Sequence, residues 1–245
     1  MKKNKTIFIS GSSSGIGYYL AKEYMQLGYK VIINGKNLKK LKKSSHSLNN
    51  CDYLLGDLSK DKNIKSVIKK IKKKYNYLDV LICNLGNSNY ERNNLNFENA
   101  FKYNFFSTTK FIQNSKTILK NNYSKIICMS SICGVESIEG APLGYSLAKS
   151  ALNFYVNLIS RKLAKNGITI NGIVPGNIFF KGSTWSLKMK SNPHKTRKYI
   201  KENVPINNFG STQDIFRVCK LITENESKFI NGSLIKIDGG QTRGS

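Results

Sequence analysis

Acidic residues are scarce in this sequence. Only 14 Asp and Glu face 40 Lys and Arg over 245 residues, for a net charge of +26. Histidine occurs twice, tryptophan once and proline four times. His46 and His194 stand far apart in polar segments, which leaves no metal-ligand cluster and little basis for a histidine-centred catalytic triad. The five cysteines, Cys51, Cys83, Cys128, Cys133 and Cys219, are odd in number, and no pair has CxxC spacing. That argues against a disulfide framework and fits reduced thiols in a cytoplasmic protein. No apolar run reaches the ~18–20 residues that span a bilayer. The basic start, Met1-Lys2-Lys3-Asn4-Lys5, is followed only by Ile7-Phe8-Ile9, short of the roughly 7–15 apolar residues of a signal peptide. A membrane span and secretion by that route are therefore excluded as readings.

Arginine is the scarcest cation. Lysine numbers 35 and arginine 5, while asparagine numbers 29. Base readout in nucleic acid favours the bidentate guanidinium, so a lysine-borne charge argues against a nucleic-acid partner. AT-rich coding produces the same Lys and Asn excess with no binding selected. The densest basic stretch, Lys65 to Lys74, carries Val67, Ile68 and Ile71 at helical spacing, so its lysines form the solvated face of an amphipathic helix. A basic surface still attracts anionic substrates or an acidic carrier protein.

What the sequence does have is a core. Hydrophobic residues make up 40% and charged residues 22%, outside the disordered range. Short apolar runs alternate with amphipathic stretches. Strands are expected at Thr6–Ser10, Lys30–Asn34, Tyr53–Leu55, Leu78–Cys83, Lys125–Ser130, Ile168–Val174 and Ser233–Ile237. Helices are expected from the Gly-rich turn to Leu27, and over Asn37–Leu48, Asp61–Tyr75, Asn96–Asn121 and Tyr145–Lys165. Near-continuous apolar strands joined by helices predict a parallel sheet of about seven strands, doubly wound and Rossmann-like, with helices on both faces, in one domain over 1–245. The least regular segment, Phe179–Asn208, contains Pro193 and Pro205 and is expected to be a substrate-covering loop.

The first strand runs into Ser10-Gly11-Ser12-Ser13-Ser14-Gly15-Ile16-Gly17 and then a helix. Glycines there permit a tight turn, close approach of backbone to a pyrophosphate and close helix–strand packing, and the helix N-terminus adds free N–H groups. The spacing is GxxxGxG, distinct from GxGxxG and from the P-loop. It resembles the opening of the short-chain dehydrogenase/reductase family, TGxxxGxG, with Ser10 in place of Thr. The resemblance runs on in order along the chain. Gly56-Asp57-Leu58 is similar to the family's adenine-side end of strand three. Cys83-Asn84-Leu85-Gly86 is similar to its NNAG, Asn104 falls where it places an active-site Asn, and Met129-Ser130-Ser131 ends strand five. Tyr145-Ser146-Leu147-Ala148-Lys149 is its YxxxK motif, Pro175-Gly176 follows strand six, and Asp238-Gly239-Gly240 lies near the C-terminus.

The resemblance implies a catalytic set of Asn104, Ser131, Tyr145 and Lys149. Tyr145 and Lys149, at i and i+4, share a helix face. A free Tyr has a pKa near 10, and a nearby ammonium lowers it and eases proton exchange with a carbonyl or alcohol. By the same analogy Ser131 orients the substrate oxygen, Asn104 anchors a water joining Lys149 to solvent, and Lys149 also holds the nicotinamide ribose. The implied cofactor contacts are Gly11, Ser13, Ser14, Gly15, Ile16 and Gly17 in the turn, Gly35 and Lys36 after strand two, Asp57 and Leu58, Asn84 and Gly86, and Pro175 and Ile178. The family often carries Thr a few residues after Pro-Gly, to contact the nicotinamide amide. Phe180 stands there in this sequence, with Ser183 or Thr184 as substitutes. Trp185, with Met189 and Phe180, is either a substrate-lid residue or ordinary packing.

An acidic residue closing strand two would bind the ribose 2′-hydroxyl and repel a 2′-phosphate. Gly35 removes that repulsion and Lys36 can pair with the phosphate, with Ser12 and Ser13 as further donors. The expectation is NADP(H) as preferred cofactor and NAD(H) as second choice. The reaction expected is reduction of a carbonyl, reversibly, on a small-molecule substrate that is either a 3-oxoacyl thioester on a carrier protein or a sugar-pathway intermediate. Members of the resembled family are commonly tetramers, and Phe154, Tyr155 and Leu158 offer apolar surface for a homotetramer. Two other classes stand beside this reading: an NAD(P)-binding regulator without turnover, and a basic nucleic-acid-binding protein.

Overall fold

Every third or fourth residue of Asp61–Tyr75 that is apolar is also buried, namely Ile64, Val67, Ile68 and Ile71. Asp61 sits in the first turn of that helix and Lys72, Lys73 and Lys74 in the last, each sign facing the favourable end of the helix dipole. The same rules recur along the chain in a computed structural model, which describes residues 5–86 and 97–244. The Met1–Asn4 start and the expected helix start at Asn96 lie outside the described residues.

The elements in order are β1 (Thr6–Ile9), α1 (Gly15–Gln26), β2 (Lys30–Gly35), α2 (Leu38–Ser47), β3 (Asp52–Leu55), α3 (Asp61–Tyr75) and β4 (Val80–Cys83). Then come α4 (Phe97–Phe101), a π-helical turn (Lys102–Phe106), α5 (Ser107–Asn114), a 3-10 turn (Ser115–Ile118), β5 (Lys125–Met129) and a 3-10 turn (Ile132–Gly134). The chain closes with α6 (Leu143–Ala164), β6 (Thr169–Pro175), β7 (Ile178–Phe179), α7 (Thr184–Ser191), α8 (Pro193–Asn203), β8 (Gly210–Ser211), α9 (Thr212–Glu224) and β9 (Leu234–Ile237).

Seven strands form one parallel sheet in the order β3-β2-β1-β4-β5-β6-β9. This is the doubly wound arrangement expected from the sequence. Alternate residues of each strand serve opposite faces. Ile7, Ile9, Ile33, Ile82 and Ile127 pack with Leu20 and Tyr24 of α1 and Ile215 and Phe216 of α9. Phe8, Ile32, Leu81 and Ile126 pack with Ile64 and Val67 of α3 and Leu152 and Val156 of α6. Each such fully buried side chain contributes about 1.5–3 kcal/mol relative to exposure, so both faces are needed to hold the sheet.

Two expectations are corrected. The segment 179–208 is not an irregular loop, because it holds α7 and α8 and is flanked by the parallel pair β7–β8. Pro193 does not break a helix. It occupies the first turn of α8, where its missing N–H costs nothing, and Asn192 caps that helix by accepting from Lys195 N–H at 2.9 Å. The second correction is α9, for which no helix was expected. Its signals are present: Ser211 and Asp214 form a capping box, ahead of buried Ile215, Phe216, Cys219 and Ile222 at helical spacing.

Candidate active site

The strand order reverses between β1 and β4, and the carboxyl ends of those strands are where an open α/β sheet binds its ligand. Gly11 and Gly15 both adopt φ of +60°, a left-handed conformation that a side chain would oppose. Gly17 answers to space instead: a Cβ there would lie 2.5 Å from Asn84 Nδ2 and 2.8 Å from Gly11 O. Ser10 Oγ accepts from Asn84 N–H at 2.9 Å, and Asn84 Nδ2 donates to Gly11 O at 3.2 Å. Asn84 therefore braces the turn from β4. Ser14 caps α1 without a side-chain hydrogen bond, and no acid stands in its first turn, so Ile16 and its neighbours begin a helix whose N-terminus suits an anion.

A cavity of about 190 Å³ opens beside this turn. It brings together Gly11, Ser13, Gly35, Lys36, Asp57, Leu58 and Gly86, all singled out in the sequence. It also includes Asn34, Ser59, Tyr103 and Ser107, which the sequence reading did not select. Asn34 is fully buried and donates to Leu54 O and Gly56 O, tying the ends of β2 and β3 together. Tyr103 immediately precedes Asn104, and Lys36 Nζ lies 5.3 Å from the centre of its ring. Gly35 faces Ser13, whose Oγ is 3.1 Å from where a Cβ would stand. Ser12 is corrected as a phosphate donor: its hydroxyl donates to Ile9 O at 2.5 Å and accepts from Asn34 N–H. Asp57 does not cap α3, which starts after Lys60. Its carboxylate accepts from Ser59 N–H instead. A broader depression lined by Lys65, Lys69, Lys72 and Lys73 lies on α3 and shares no residue with this site.

Ser131, Tyr145, Lys149 and Asn104 converge next to that cavity. Ser131 caps the 3-10 turn after β5, its Oγ accepting from Cys133 N–H at 3.2 Å. Gly134 lets this turn press on α6, since a Cβ there would lie 2.6 Å from the Lys149 carbonyl carbon. Asn153 of α6 donates to Gly134 O and clamps the contact. The Ser131 hydroxyl thereby stands close enough to the Tyr145 phenol to lower its pKa. Lys149 is 2% exposed, donates to Met129 O at 2.8 Å, and lies 5.8 Å from the Tyr145 ring centre. Asn104 is fully buried in the π-helical turn and donates to Ala100 O. A Cβ on Gly86 would meet both Lys149 Nζ, at 2.8 Å, and Asn104 Oδ1, at 2.9 Å, so that glycine is the space these two polar groups share. The π turn, a form often found at functional sites, was not legible in the sequence.

The expected electrostatics of the pair are also corrected. Burial pushes the Tyr145 phenol up to about 12, against the Ser131 hydrogen bond, which pulls it down. Burial pulls the Lys149 ammonium down to about 8. Each group is driven toward its neutral form, because desolvation by burial outweighs the contributions that oppose it.

Pro175 ends β6 and Ile178 pairs with Gly210 in the β7–β8 ladder. Phe180, in the position of the expected Thr, packs its ring on the Gly-rich turn, 3.0 Å from where a Gly15 Cβ would lie. Ser183 does not replace that Thr: it is buried and caps α7, its Oγ accepting from Ser186 N–H at 3.1 Å and Phe180 N–H at 3.3 Å. Thr184 is exposed. Trp185 of α7 is half-buried in an aromatic wall, 5.1 Å from Tyr199 and 5.6 Å from Phe209.

These features fit a dinucleotide. Side-chain-free Gly11 and Gly35 line the cavity, the helix α1 starts just after the Gly-rich turn beside it, and the cation Lys36 stands next to Gly35 with no carboxylate closing β2. Residues 11–242 match the family model described as Enoyl-(Acyl carrier protein) reductase. The chain is 30% identical over 245 residues to the 3-oxoacyl-(acyl-carrier-protein) reductase FabG of Rickettsia typhi, covering 96% of each chain. Among solved structures it resembles YwfH, an NADPH-dependent reductase of bacilysin biosynthesis, with a TM-score of 0.86 and 24% identity over 99% of this chain and 100% of that one. It resembles L-sorbose reductase of Gluconobacter frateurii equally closely, with a TM-score of 0.86 and 20% identity over 99% and 98%.

Proposed function

The chain belongs to the short-chain dehydrogenase/reductase family of oxidoreductases, and we propose that it is an NADPH-dependent reductase that converts the carbonyl of a 3-oxoacyl thioester to an alcohol. The observation that carries the reading is the convergence of Ser131, Tyr145, Lys149 and Asn104 beside the cavity at Gly35. The thioester is supported by the FabG relative, which is similar along nearly its whole length. It is supported also by the charge of the segment over the site. Residues 181–201 carry Lys181, Lys188, Lys190, Lys195, Arg197, Lys198 and Lys201, all exposed, and no Asp or Glu. An acidic carrier would be drawn to that face.

In this reading Gly11, Ser13, Ser14, Gly15, Ile16 and Gly17 hold the pyrophosphate, and Asp57, Leu58, Asn84 and Gly86 flank the adenosine and ribose. Lys36 and Ser13 take the 2′-phosphate, and Pro175 and Ile178 frame the nicotinamide. NADPH, when bound, supplies the hydride that goes to the carbonyl carbon. Ser131 donates a hydrogen bond to the carbonyl oxygen and fixes its position. Tyr145, kept protonated by burial, gives its proton to that oxygen as charge develops there. Lys149 then stabilises the phenolate and returns a proton to it, with Asn104 holding the water through which that proton is replaced. The reverse sequence oxidises the alcohol.

The chain is read as a single domain whose residues 179–208 cover the substrate. It is read as cytoplasmic on its five free thiols; among the described residues no helix is long and apolar enough to cross a membrane. Exposed Leu147, Phe154 and Leu158 on α6 support a homotetramer, and light scattering at the mass of one chain would overturn it. A regulator without turnover would have no need of Ser131 beside Tyr145. The deciding experiment follows NADPH absorbance with an acetoacetyl thioester. Tyr145→Phe should reduce kcat by about 10²–10⁴ and leave NADPH affinity within about threefold of the parent. Parent-like turnover by the variant would overturn the assignment.

A further inference from the structure

The C-terminal segment after β9 makes no contribution to the reacting set, yet it touches three parts of the site. Asp238 knots it: its carboxylate accepts from Gly240 N–H, Thr242 N–H and the Thr242 hydroxyl at 2.7–3.0 Å. Gly239 and Gly240 have φ of +64° and +83°, which turns the chain back on itself. Beyond the knot, Arg243 N–H and Gly244 N–H donate to Glu136, just past the turn that Ser131 caps. Inside the knot, between Gly240 and Thr242, sits Gln241, 8% exposed.

Gln241 uses both ends of its amide. Its Oε1 accepts from Asn177 Nδ2 at 2.8 Å, and its Nε2 donates to the Tyr199 hydroxyl at 3.2 Å. Asn177 is buried and sits between Pro175 and Ile178, in the loop assigned to the nicotinamide end of the cofactor. Tyr199 belongs to α8 and stacks on Trp185, which in turn lies under Lys188 Nζ at 4.5 Å and beside Phe209. One amide thus joins the aromatic wall to the loop between Pro175 and Ile178. A shorter Asn would not span both partners, Glu would remove the donor, and Leu would remove both functions.

We propose that Gln241 is a positioning residue for the substrate lid: it registers the Trp185–Tyr199 wall against the loop at Asn177, so that occupancy of the cofactor site is transmitted to the wall that contacts substrate. The proposal rests on the reading of Ser131, Tyr145 and Lys149 given above for what the wall encloses. Its test does not depend on turnover, because Trp185 is the single tryptophan of the chain and reports the wall directly.

Trp185 emission and its quenching by acrylamide are measured for the parent, Gln241→Leu, Tyr199→Phe and the double variant, with and without NADPH. Parallel kinetics use an acetoacetyl thioester. NADPH should change the emission of the parent. In Gln241→Leu the emission should shift to the red, quench about twice as readily and lose most of its response to NADPH. KM should rise roughly 5- to 100-fold, the loss expected of two hydrogen bonds, while kcat stays within about threefold. Tyr199→Phe keeps the stacked ring and should raise KM roughly 2- to 10-fold, the loss of one. Because the two residues act through one contact, the double variant should be no worse than Gln241→Leu alone within about twofold. Parent-like emission and KM in either variant, or multiplicative effects in the double variant, would overturn the proposal. A role confined to holding the tail would lower the melting temperature alone. Should Gln241→Leu fail to fold, Tyr199→Phe decides. Failure of the reductase reading is seen separately, as an absence of thioester turnover in the parent.

Discussion

The cavity at Gly35 and the segment 178–211 are built from different materials. The cavity is built around glycines, with Gly11, Gly35, Gly56 and Gly86 in its lining, beside the turn shaped by Gly15 and Gly17. Ser10, Ser12, Asn34 and Asn84 hydrogen-bond to main chain and fix the shape of the strand ends around it. The 178–211 segment is made of side chains in contact with one another, Trp185 on Tyr199, Phe209 against both Trp185 and Phe179, capped by Ser183 and Asn192. A backbone-built pocket requires particular residues at fixed spacing, because only glycine fits where space or φ demands it. A side-chain-built wall tolerates many solutions, which suits it to selecting a substrate and makes it hard to recognise in advance.

The largest expected effect on stability belongs to Lys149, buried against Gly86 at the edge of the cavity. Its ammonium is drawn down to about 8 from 10.5 by burial. Between those values the unfolded chain holds a proton that the folded chain has released, so folding stability rises with pH across that window. Below about pH 8 both states are protonated and the penalty is constant, at most about 3 kcal/mol. Lys149→Met should therefore raise the melting temperature near neutral pH, with the gain shrinking as pH climbs toward 10.5, while catalysis is lost. Loss of the bond to Met129 O offsets part of that gain. Thermal melts of parent and variant across this range check it, and a pH-independent difference would contradict the burial argument.

The legibility of the site follows the same division. Gly11, Gly15 and Gly17 were singled out because a tight turn at that spacing requires glycine, Gly35 because no acid closes strand two, and Asp57 and Gly86 through the family resemblance. Tyr145 and Lys149 were selected through the YxxxK motif of the resembled family, their i, i+4 relation adding only a shared helix face, and Ser131 through the place that family gives its Ser after strand five. Asn104 was found by position, but the π turn that buries it was not, since no composition rule distinguishes that turn from the α-helix around it. Tyr103 faces Lys36 across the cavity mouth and carries no sequence signal beyond its neighbour. Phe180 was seen as a departure, yet its packing on Gly15 needed the fold. The Lys149–Tyr145 electrostatics were misjudged because a helix-face argument supplies the distance between charges and omits the cost of burying them. Gln241 lies 64 residues from Asn177 and 42 from Tyr199, so its two contacts are purely tertiary.

The cofactor side can be altered without touching the lid. Gly35→Asp with Lys36→Leu adds a carboxylate at the end of β2 and removes the cation beside it. Gly35 does not have a positive φ, and the new side chain needs Ser13, whose Oγ and Cβ lie 3.1 and 3.2 Å from the added Cβ, to give by a few tenths of an ångström. A charge-assisted contact of about 1–3 kcal/mol is lost and a repulsion gained. NADPH affinity should fall at least about fivefold and NADH should become the better ligand. Titration of both cofactors checks this, and the emission of Trp185 in the unliganded variant should match the parent. Equal affinity of the parent for NADPH and NADH would remove the basis for the preference.

The smallest effect belongs to the lid alone and tests whether it can be loosened separately. Ser183 Oγ accepts from Ser186 N–H and Phe180 N–H, so it fixes both the start of α7 and the turn that leads Phe180 onto Gly15. Ser183→Ala removes one cap, at a cost of about 1 kcal/mol. The side chain is buried, so water cannot readily take the place of the lost oxygen, and the freed N–H groups favour fraying of the first turn of α7, which carries Trp185. Substrate KM should rise roughly two- to fivefold, kcat should hold, and NADPH affinity should fall less than about twofold, since Phe180 reaches Gly15 through its ring and not through Ser183. Ser183→Thr keeps the capping oxygen and should restore KM. If Ser183→Ala weakened NADPH as much as it weakened substrate, the cofactor cavity and the lid would be one mechanical unit, and the division drawn between them would fail.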